Sequence, residues 1–224
     1  MSDPALETNQ YVVRTFPVGP LQCNCTIIGD TRSKKALVVD PGGDAQVILD
    51  VLSELDFRAI AIVHTHAHFD HILAAGEIKK ATGAPIYLHE SDMFLWTGLE
   101  EQCSMFGFGM PKSLLPGSFL PDPDHYLSDD HDLGCCGGVA IHTPGHTPGS
   151  TSFWFEESKI LIAGDTLFKG GIGRTDFPGG NAKQIVSSIR ERIYTLDDDA
   201  TVITGHGPAT TIGVEKQSNM FVRA

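Results

Sequence analysis

Between His64 and His71 the chain reads His-Thr-His-Ala-His-Phe-Asp-His, four histidines and an aspartate within eight residues. A short run rich in β-branched residues, Ala59-Ile-Ala-Ile-Val63, leads straight into this cluster, and Ile72-Leu-Ala-Ala75 follows it. The run before predicts a buried strand. The stretch after predicts a helix over about 70–81, with Asp70 near its start, where a carboxylate suits the exposed N–H groups. The cluster therefore belongs on a loop at the C-terminal end of a strand, a common place for a site in an α/β sheet. His66 and His68 are two apart, so extended backbone sends both side chains to one side. Two converging neutral imidazoles make half of a tetrahedral metal site. Asp70 and His71 come after the chain turns and can supply a second point nearby. A single histidine in a polar loop usually caps or takes up water. Five such groups buried together without an ion would leave many polar atoms unpaired.

Composition narrows the classes of function. With 224 residues the chain can build one domain with a large core, expected over residues 11–224 behind a loose tail at 1–10. The net charge of −12, with no basic block, argues against nucleic acid as a partner, because phosphate binding needs a positive face. No apolar run is long enough to span a membrane, and the acidic start, Met1-Ser-Asp-Pro, lacks a signal peptide's pattern. A cytoplasmic protein with no membrane partner is the expectation. The odd number of cysteines agrees with reduced thiols. Cys23-Asn-Cys25 and Cys135-Cys136 lack the spacing of a zinc knuckle and read as small apolar residues on strands.

Along the chain, Tyr11–Phe16, Cys23–Ile28 and Ala36–Val39 predict three strands in hairpin order, an antiparallel start to a mixed sheet. Val47, Ile48, Val51, Leu52 and Leu55 then line one face of a helix capped by Asp44. Further strands are expected at 85–88, 137–142 and 201–204, with a hairpin of 151–155 and 159–163. Helices are expected on the Ile185, Ile189 and Ile193 face and from about Val214. Residues 90–125 hold Phe94, Trp96, Met105, Phe106, Phe108 and Met110, a stretch suited to core or covering surface. Movement of its Phe106–Met110 part over a substrate cleft is the alternative. Five aspartates between Asp122 and Asp132 lack EF-hand spacing and read as a solvated turn.

One arrangement recurs. A short apolar strand runs into a loop offering a metal-competent side chain at His66–His71, at His146, at Asp165 and at His206. In the last three a neighbouring glycine permits close backbone approach. Taken singly, His146 or His206 reads as a hydrogen-bonded turn residue. Taken with the first cluster, the four loops point to one site.

The order His-x-His-x-Asp-His, Gly-His, Gly-Asp-Thr, Gly-His-Gly resembles the metallo-β-lactamase-fold hydrolases, and within them the short bacterial glyoxalase II-like (hydroxyacylglutathione hydrolase-like) proteins. The resemblance covers about 11–210 and includes Val39-Asp-Pro-Gly-Gly43, Thr143-Pro-Gly-His-Thr-Pro-Gly-Ser150, Gly164-Asp-Thr-Leu-Phe168 and Gly173-Arg-Thr-Asp-Phe177. It implies an α/β fold, a four-layer αββα sandwich of two mixed sheets flanked by helices, carrying two divalent metal ions. His66, His68 and His146 would hold the first, Asp70, His71 and His206 the second, with Asp165 bridging. This mixed nitrogen and oxygen set suits Zn²⁺, and also Fe or Mn. Asp40 and His64 are candidates to orient these ligands from behind, or simply turn and core residues.

The resemblance further implies a binuclear thioester hydrolase that acts on a small glutathione-linked thioester, S-D-lactoylglutathione, in methylglyoxal detoxification. Asp70 would be a ligand that also orients the nucleophile or takes its proton. Arg174 matches a basic position that contacts glutathione, and Lys169 lies close to it; a solvated charge is the alternative for both. Two features depart from the larger glyoxalases II. Those add a C-terminal helical domain, whereas 18 residues follow His206 here, and they carry a tyrosine where this chain has Asp176. A non-glutathione thioester or ester is therefore a second candidate substrate. Persulfide dioxygenases share the Gly-Arg-Thr-Asp-Phe run and use one iron at positions matching His66, His146 and Asp165. Their run continues with glutamine, where this chain has Pro178. A binding module that has kept the fold is a third class, and intact residues at all seven positions speak against it.

Overall fold

The computed structural model describes residues 6–7 (backbone), 10–107 and 120–223, so the expectation for Phe108–Met110 lies outside the described residues. The chain divides into two compact units, residues 1–126 and 127–224.

In the first unit β1 (Leu6–Glu7), β2 (Tyr11–Val18), β3 (Cys23–Asp30) and β4 (Lys35–Val39) pair antiparallel in sequence order. Thus Leu6–Glu7, within the stretch expected to be a tail, lies against Val12 and Val13. After α1 (Ala45–Glu54) comes β5 (Arg58–Val63), parallel to β4, then α2 (Phe69–Ile72), α3 (Ala75–Thr82) and β6 (Ile86–His89), parallel to β5. Two short helices, α4 (Met93–Thr97) and α5 (Leu99–Met105), precede the edge strand β7 (His125–Leu127). The apolar runs Ala36–Val39 and Ala61–Val63 are buried, as parallel strands covered on both faces require. Ile48 and Leu52 of α1, Phe69 and Ile72 of α2, Ile78 of α3 and Trp96 of α4 pack with Ile27, Val38, Ile62 and Ile86 into one core.

Two local expectations are corrected. The single helix over 70–81 is two helices, because Ala74 donates its N–H to the carbonyl of Pro41, at 2.9 Å, and so leaves the helical ladder. Asp44 stands at the start of α1 but does not cap it through its side chain. Its backbone is left-handed, φ 49°, and its carboxylate accepts the Gly19 N–H instead.

The second unit builds a five-stranded sheet from β8 (Gly138–His142), β9 (Thr151–Phe155), β10 (Ile160–Gly164), β13 (Thr201–Thr204) and β14 (Thr210–Thr211), in the order β14-β13-β10-β9-β8. All its pairs are antiparallel except β10 with β13. A two-stranded hairpin joins β11 (Leu167–Phe168) to β12 (Gly171–Ile172). Ile185 of α6 (Ala182–Ser188) and Ile189 and Ile193 of the π-helical turn after it are fully buried, as their four-residue spacing predicts. They pack on Leu161, Val202 and Ile212 of α7 (Ile212–Ser218).

Cys23 and Cys25 lie on β3 as expected, whereas Cys103 is on α5 and Cys135 and Cys136 form a turn ahead of β8. The aspartates of 122–132 do more than meet water. Asp124 pairs with Lys79 and accepts the Ile86 N–H, and Asp129 pairs with Arg192 and accepts the His142 N–H. No helix among the described residues is long and apolar enough to cross a membrane.

Candidate metal centre

In the first unit the sheet sets out the site. Strands β4 and β5 run parallel, so the residues that follow them, Asp40 and His64, emerge at the same edge; Asp40 donates its N–H to the carbonyl of Val63. Asp40 is buried in a left-handed conformation, φ 50°, which an aspartate tolerates better than most side chains. Its Oδ1 accepts the Thr65 N–H at 2.8 Å and its Oδ2 the Thr65 hydroxyl at 2.6 Å. Because that hydroxyl proton goes to Asp40, the Thr65 oxygen accepts from His66 Nδ1, 3.0 Å away. His71 Nδ1 donates to the same Asp40 oxygen, at 3.0 Å. One carboxylate thereby fixes the tautomer of two histidines and turns the Nε2 lone pair of each outward, the arrangement that orients metal-ligating imidazoles.

The ring of His66 lies 4.8 Å from that of His68 and 4.1 Å from that of His71. Asp70 Oδ2 faces His71 Nε2 at 3.7 Å, too far for a hydrogen bond. Two ligand atoms sharing an ion, each about 2.0–2.2 Å from it, stand roughly 3–4 Å apart. An added Cβ on Gly42 would overlap the carbonyl oxygen of Asp70, so only glycine permits this approach. His64 stands behind the loop. It donates from Nδ1 to the His71 carbonyl at 3.2 Å and meets Trp96 edge-on at 5.3 Å. Burial holds its pKa down to about 4, so it is a neutral support. Burial likewise pushes the Cys23 thiol, 3.3 Å from His71 Nδ1, up to about 12.

The second unit repeats the scheme with other parts. The parallel pair β10 and β13 brings Asp165 and His206 to one edge, and Gly205 donates its N–H to the carbonyl of Gly164 at 2.8 Å. The two oxygens of Asp165 face different imidazoles: Oδ2 lies 3.6 Å from His146 Nε2 and Oδ1 lies 3.8 Å from His206 Nε2. A carboxylate placed in this way can serve two ions at once. His146 is oriented by backbone, its Nδ1 donating to the carbonyl of Arg174 at 2.7 Å. Gly173 matches Gly42: its Cβ would overlap the Asp165 carbonyl oxygen and crowd His146 Nδ1.

The guanidinium of Arg174 is turned away from its own carbonyl's task. It grips the Asp176 carboxylate at 2.6 and 2.7 Å and stacks on the Phe177 ring at 3.9 Å. This pairing holds the Asp176 carboxyl down to about 2. Lys169 is exposed on the turn between β11 and β12. That hairpin is tied down by Glu215 of α7, whose buried carboxylate accepts the Gly170 N–H, the Thr210 hydroxyl and the Asn219 side-chain amide. Sequence reasoning missed Thr65, the relay between His66 and Asp40, and Glu215. Thr65 carried a signal in its place between two histidines; Glu215 carried none.

The donor chemistry fits a divalent cation: imidazoles of His66, His71 and His146 whose Nδ1 is engaged by hydroxyl, carboxylate or carbonyl, beside carboxylates that face His71, His146 and His206 at ligand spacing. Histidines and aspartates of both units could hold a metal ion. Residues 18–206 match the family described as the metallo-beta-lactamase superfamily. The hydroxyacylglutathione hydrolase GloC of Haemophilus influenzae is 39% identical over 95% of this chain and 98% of its own. Among solved structures, TTHA1623 in a di-iron-bound form is 32% identical, with a TM-score of 0.82, covering 92% of this chain and 98% of that one. BLEG-1, a B3 metallo-β-lactamase, is 33% identical, with a TM-score of 0.78, covering 95% and 100%. The α/β architecture of mixed sheets flanked by helices is the fold of these neighbours. By sequence and by fold, the chain belongs to the metallo-β-lactamase superfamily and is a metallo-hydrolase of that fold.

Proposed function

We propose that this metallo-hydrolase is a binuclear thioester hydrolase of glyoxalase II type, cleaving S-D-lactoylglutathione to glutathione and D-lactate. The observation that carries the reading is the likeness, over almost the full length of both chains, to a hydroxyacylglutathione hydrolase. His66, His68 and His146 would hold one cation and Asp70, His71 and His206 the other, with Asp165 shared. The split of the Asp165 oxygens between two imidazoles supports the bridging role. Zn²⁺ suits this donor set, and Fe or Mn can replace it.

When bound, a pair of such cations would supply a water that is nucleophilic at neutral pH and a positive charge for the developing oxyanion. The residues do the rest. Asp40, through His71 and through Thr65 and His66, keeps two imidazoles in the donor tautomer while charge moves in front of them. Asp70 orients the attacking water or takes its proton. Attack at the thioester carbon is followed by scission of the C–S bond; the proton taken from the water passes to the departing thiolate, so glutathione leaves as the thiol, and the acid formed loses its own proton to solvent and leaves as lactate. Arg174 binds a carboxylate of the glutathione portion, and to do so it exchanges Asp176 for substrate; Lys169 adds positive charge beside it.

Zinc, iron and manganese content, measured on the sample whose hydrolysis of S-D-lactoylglutathione and of non-glutathione thioesters is followed, tests this reading. The expected result is two metals per chain, loss of hydrolysis with a chelator and its return with Zn²⁺. Faster turnover of a non-glutathione thioester would move the substrate class and keep the chemistry. Oxygen uptake with glutathione persulfide, one iron per chain and no thioester hydrolysis would overturn it.

A further inference from the structure

Among the described residues no strand pairs with residues 67–69 of the segment that carries His66, His68 and Asp70, although Ala67 and Phe69 are buried. Its peptide groups are met by two side chains from the segment 92–102. The Gln102 carboxamide donates to the Ala67 carbonyl at 3.0 Å and accepts the Phe69 N–H at 3.1 Å. Its second N–H goes to the Leu95 carbonyl at 2.8 Å, so both its donors and its acceptor are engaged. Asp92, fully buried, accepts the Ala67 N–H at 3.1 Å.

Bonding the carbonyl of one residue and the N–H of the residue two further on is what the N–H and carbonyl of a single facing residue do in a parallel ladder. We infer that Gln102, with Asp92, is a positioning residue for the metal-binding loop: its carboxamide takes the place of that facing residue's N–H and carbonyl and fixes the backbone on either side of His68. This rests on the metal-dependent reading above. The brace holds Ala67, between two ligand histidines, by both its N–H and its carbonyl, and it holds Phe69 directly before Asp70. Asp40 fixes ring orientation from inside the sheet; Gln102 fixes the backbone from the helical side. Ligands of a metal site must be held to within a fraction of an ångström, and the groups that hold them set affinity as strongly as some ligands do.

Gln102→Met removes all three hydrogen bonds at nearly constant volume, and Gln102→Glu keeps only the acceptor for Phe69. Zn²⁺ affinity of the metal-depleted full chain, read by competition with a chromophoric chelator, should fall about 10–100-fold in Gln102→Met. Gln102→Glu should fall between that variant and the wild type, and the visible spectrum of the Co²⁺-loaded variants should shift. A residue that served stability alone would lower the melting temperature of the metal-free protein and leave Zn²⁺ affinity and the Co²⁺ spectrum unchanged; that result overturns the inference. Should Gln102→Met fail to fold, hydrogen exchange on the metal-free wild type decides. Slow exchange at the Ala67 and Phe69 amides supports the brace, and exchange at the rate of open chain overturns it. If the wild type binds no Zn²⁺, the hydrolase reading falls as well. If it binds and Gln102→Met binds equally well, only the brace falls.

Discussion

The two units carry candidate metal ligands of the same chemistry on different constructions. The first gathers His66, His68, Asp70 and His71 on a single loop and helix start and orients two of them through one buried carboxylate, Asp40. The second takes His146, Asp165 and His206 from the ends of three separate strands and orients His146 through a backbone carbonyl. Ordering one loop places four groups in the first case. In the second, the sheet must pair in register before any two groups meet. The first unit is therefore exposed to side-chain substitutions around its loop. The second is exposed to changes in backbone path, above all at Gly173 and along β10 and β13.

The largest expected effect strikes the second unit at its centre. Asp165→Ala removes the carboxylate that faces both His146 and His206, and kcat/KM for thioester hydrolysis should drop by about a thousandfold, roughly 4 kcal/mol. Unchanged activity would return the chain to the class of binding modules. Next comes Asp40→Leu, which strips the orienting bonds from His66 and His71 at once. Zn²⁺ affinity should weaken about 10–100-fold, and a chelator titration showing no change would dissolve the contrast between the units. Gly173→Ala and Gly42→Ala push the carbonyls of Asp165 and Asp70, and thermal unfolding should show each costing about 1–3 kcal/mol. Equal losses would mean that both units depend on close backbone approach. A loss confined to Gly173 would sharpen the difference.

The smallest effect concerns the surface. Asp176→Asn releases Arg174, and KM for a glutathione thioester should fall a few-fold with kcat unchanged, because a solvent-screened surface pair competes only weakly with substrate. Asp176 has its pKa lowered to about 2, so the pair contributes above the ordinary carboxylate range and is lost only as pH falls through about 2. The wild-type KM should accordingly show no step from this pair between neutral and mildly acid pH.

The contrast also governs what could be read from sequence. Four donors in eight residues are visible in the string itself. His146, Asp165 and His206 become visible only through their order and the strand before each, since each alone is an ordinary turn residue. The buried strands 36–39, 59–63 and 201–204 were legible because apolar β-branched runs have few other fates. The break after α2 was not, because it depends on a hydrogen bond from Ala74 to Pro41, thirty-three residues away. Asp44 fits the pattern of an N-cap, yet its partner is Gly19, on a loop that no local rule connects to it. Gln102 and Asp92 lie on helical segments where a polar residue reads as surface, and only the folded loop shows what they meet.

Glu215 suggests how such a chain could change its diet. The Glu215 carboxylate and the Asn219 amide tether the hairpin that carries Lys169 and runs on to Arg174, and neither they nor their partners Gly170, Gly171 and Thr210 are among the candidate metal ligands. Substitutions there would let the hairpin settle differently while the candidate metal ligands stay untouched, so the position of Arg174 can vary without change to the residues that face the cations in the proposed reading.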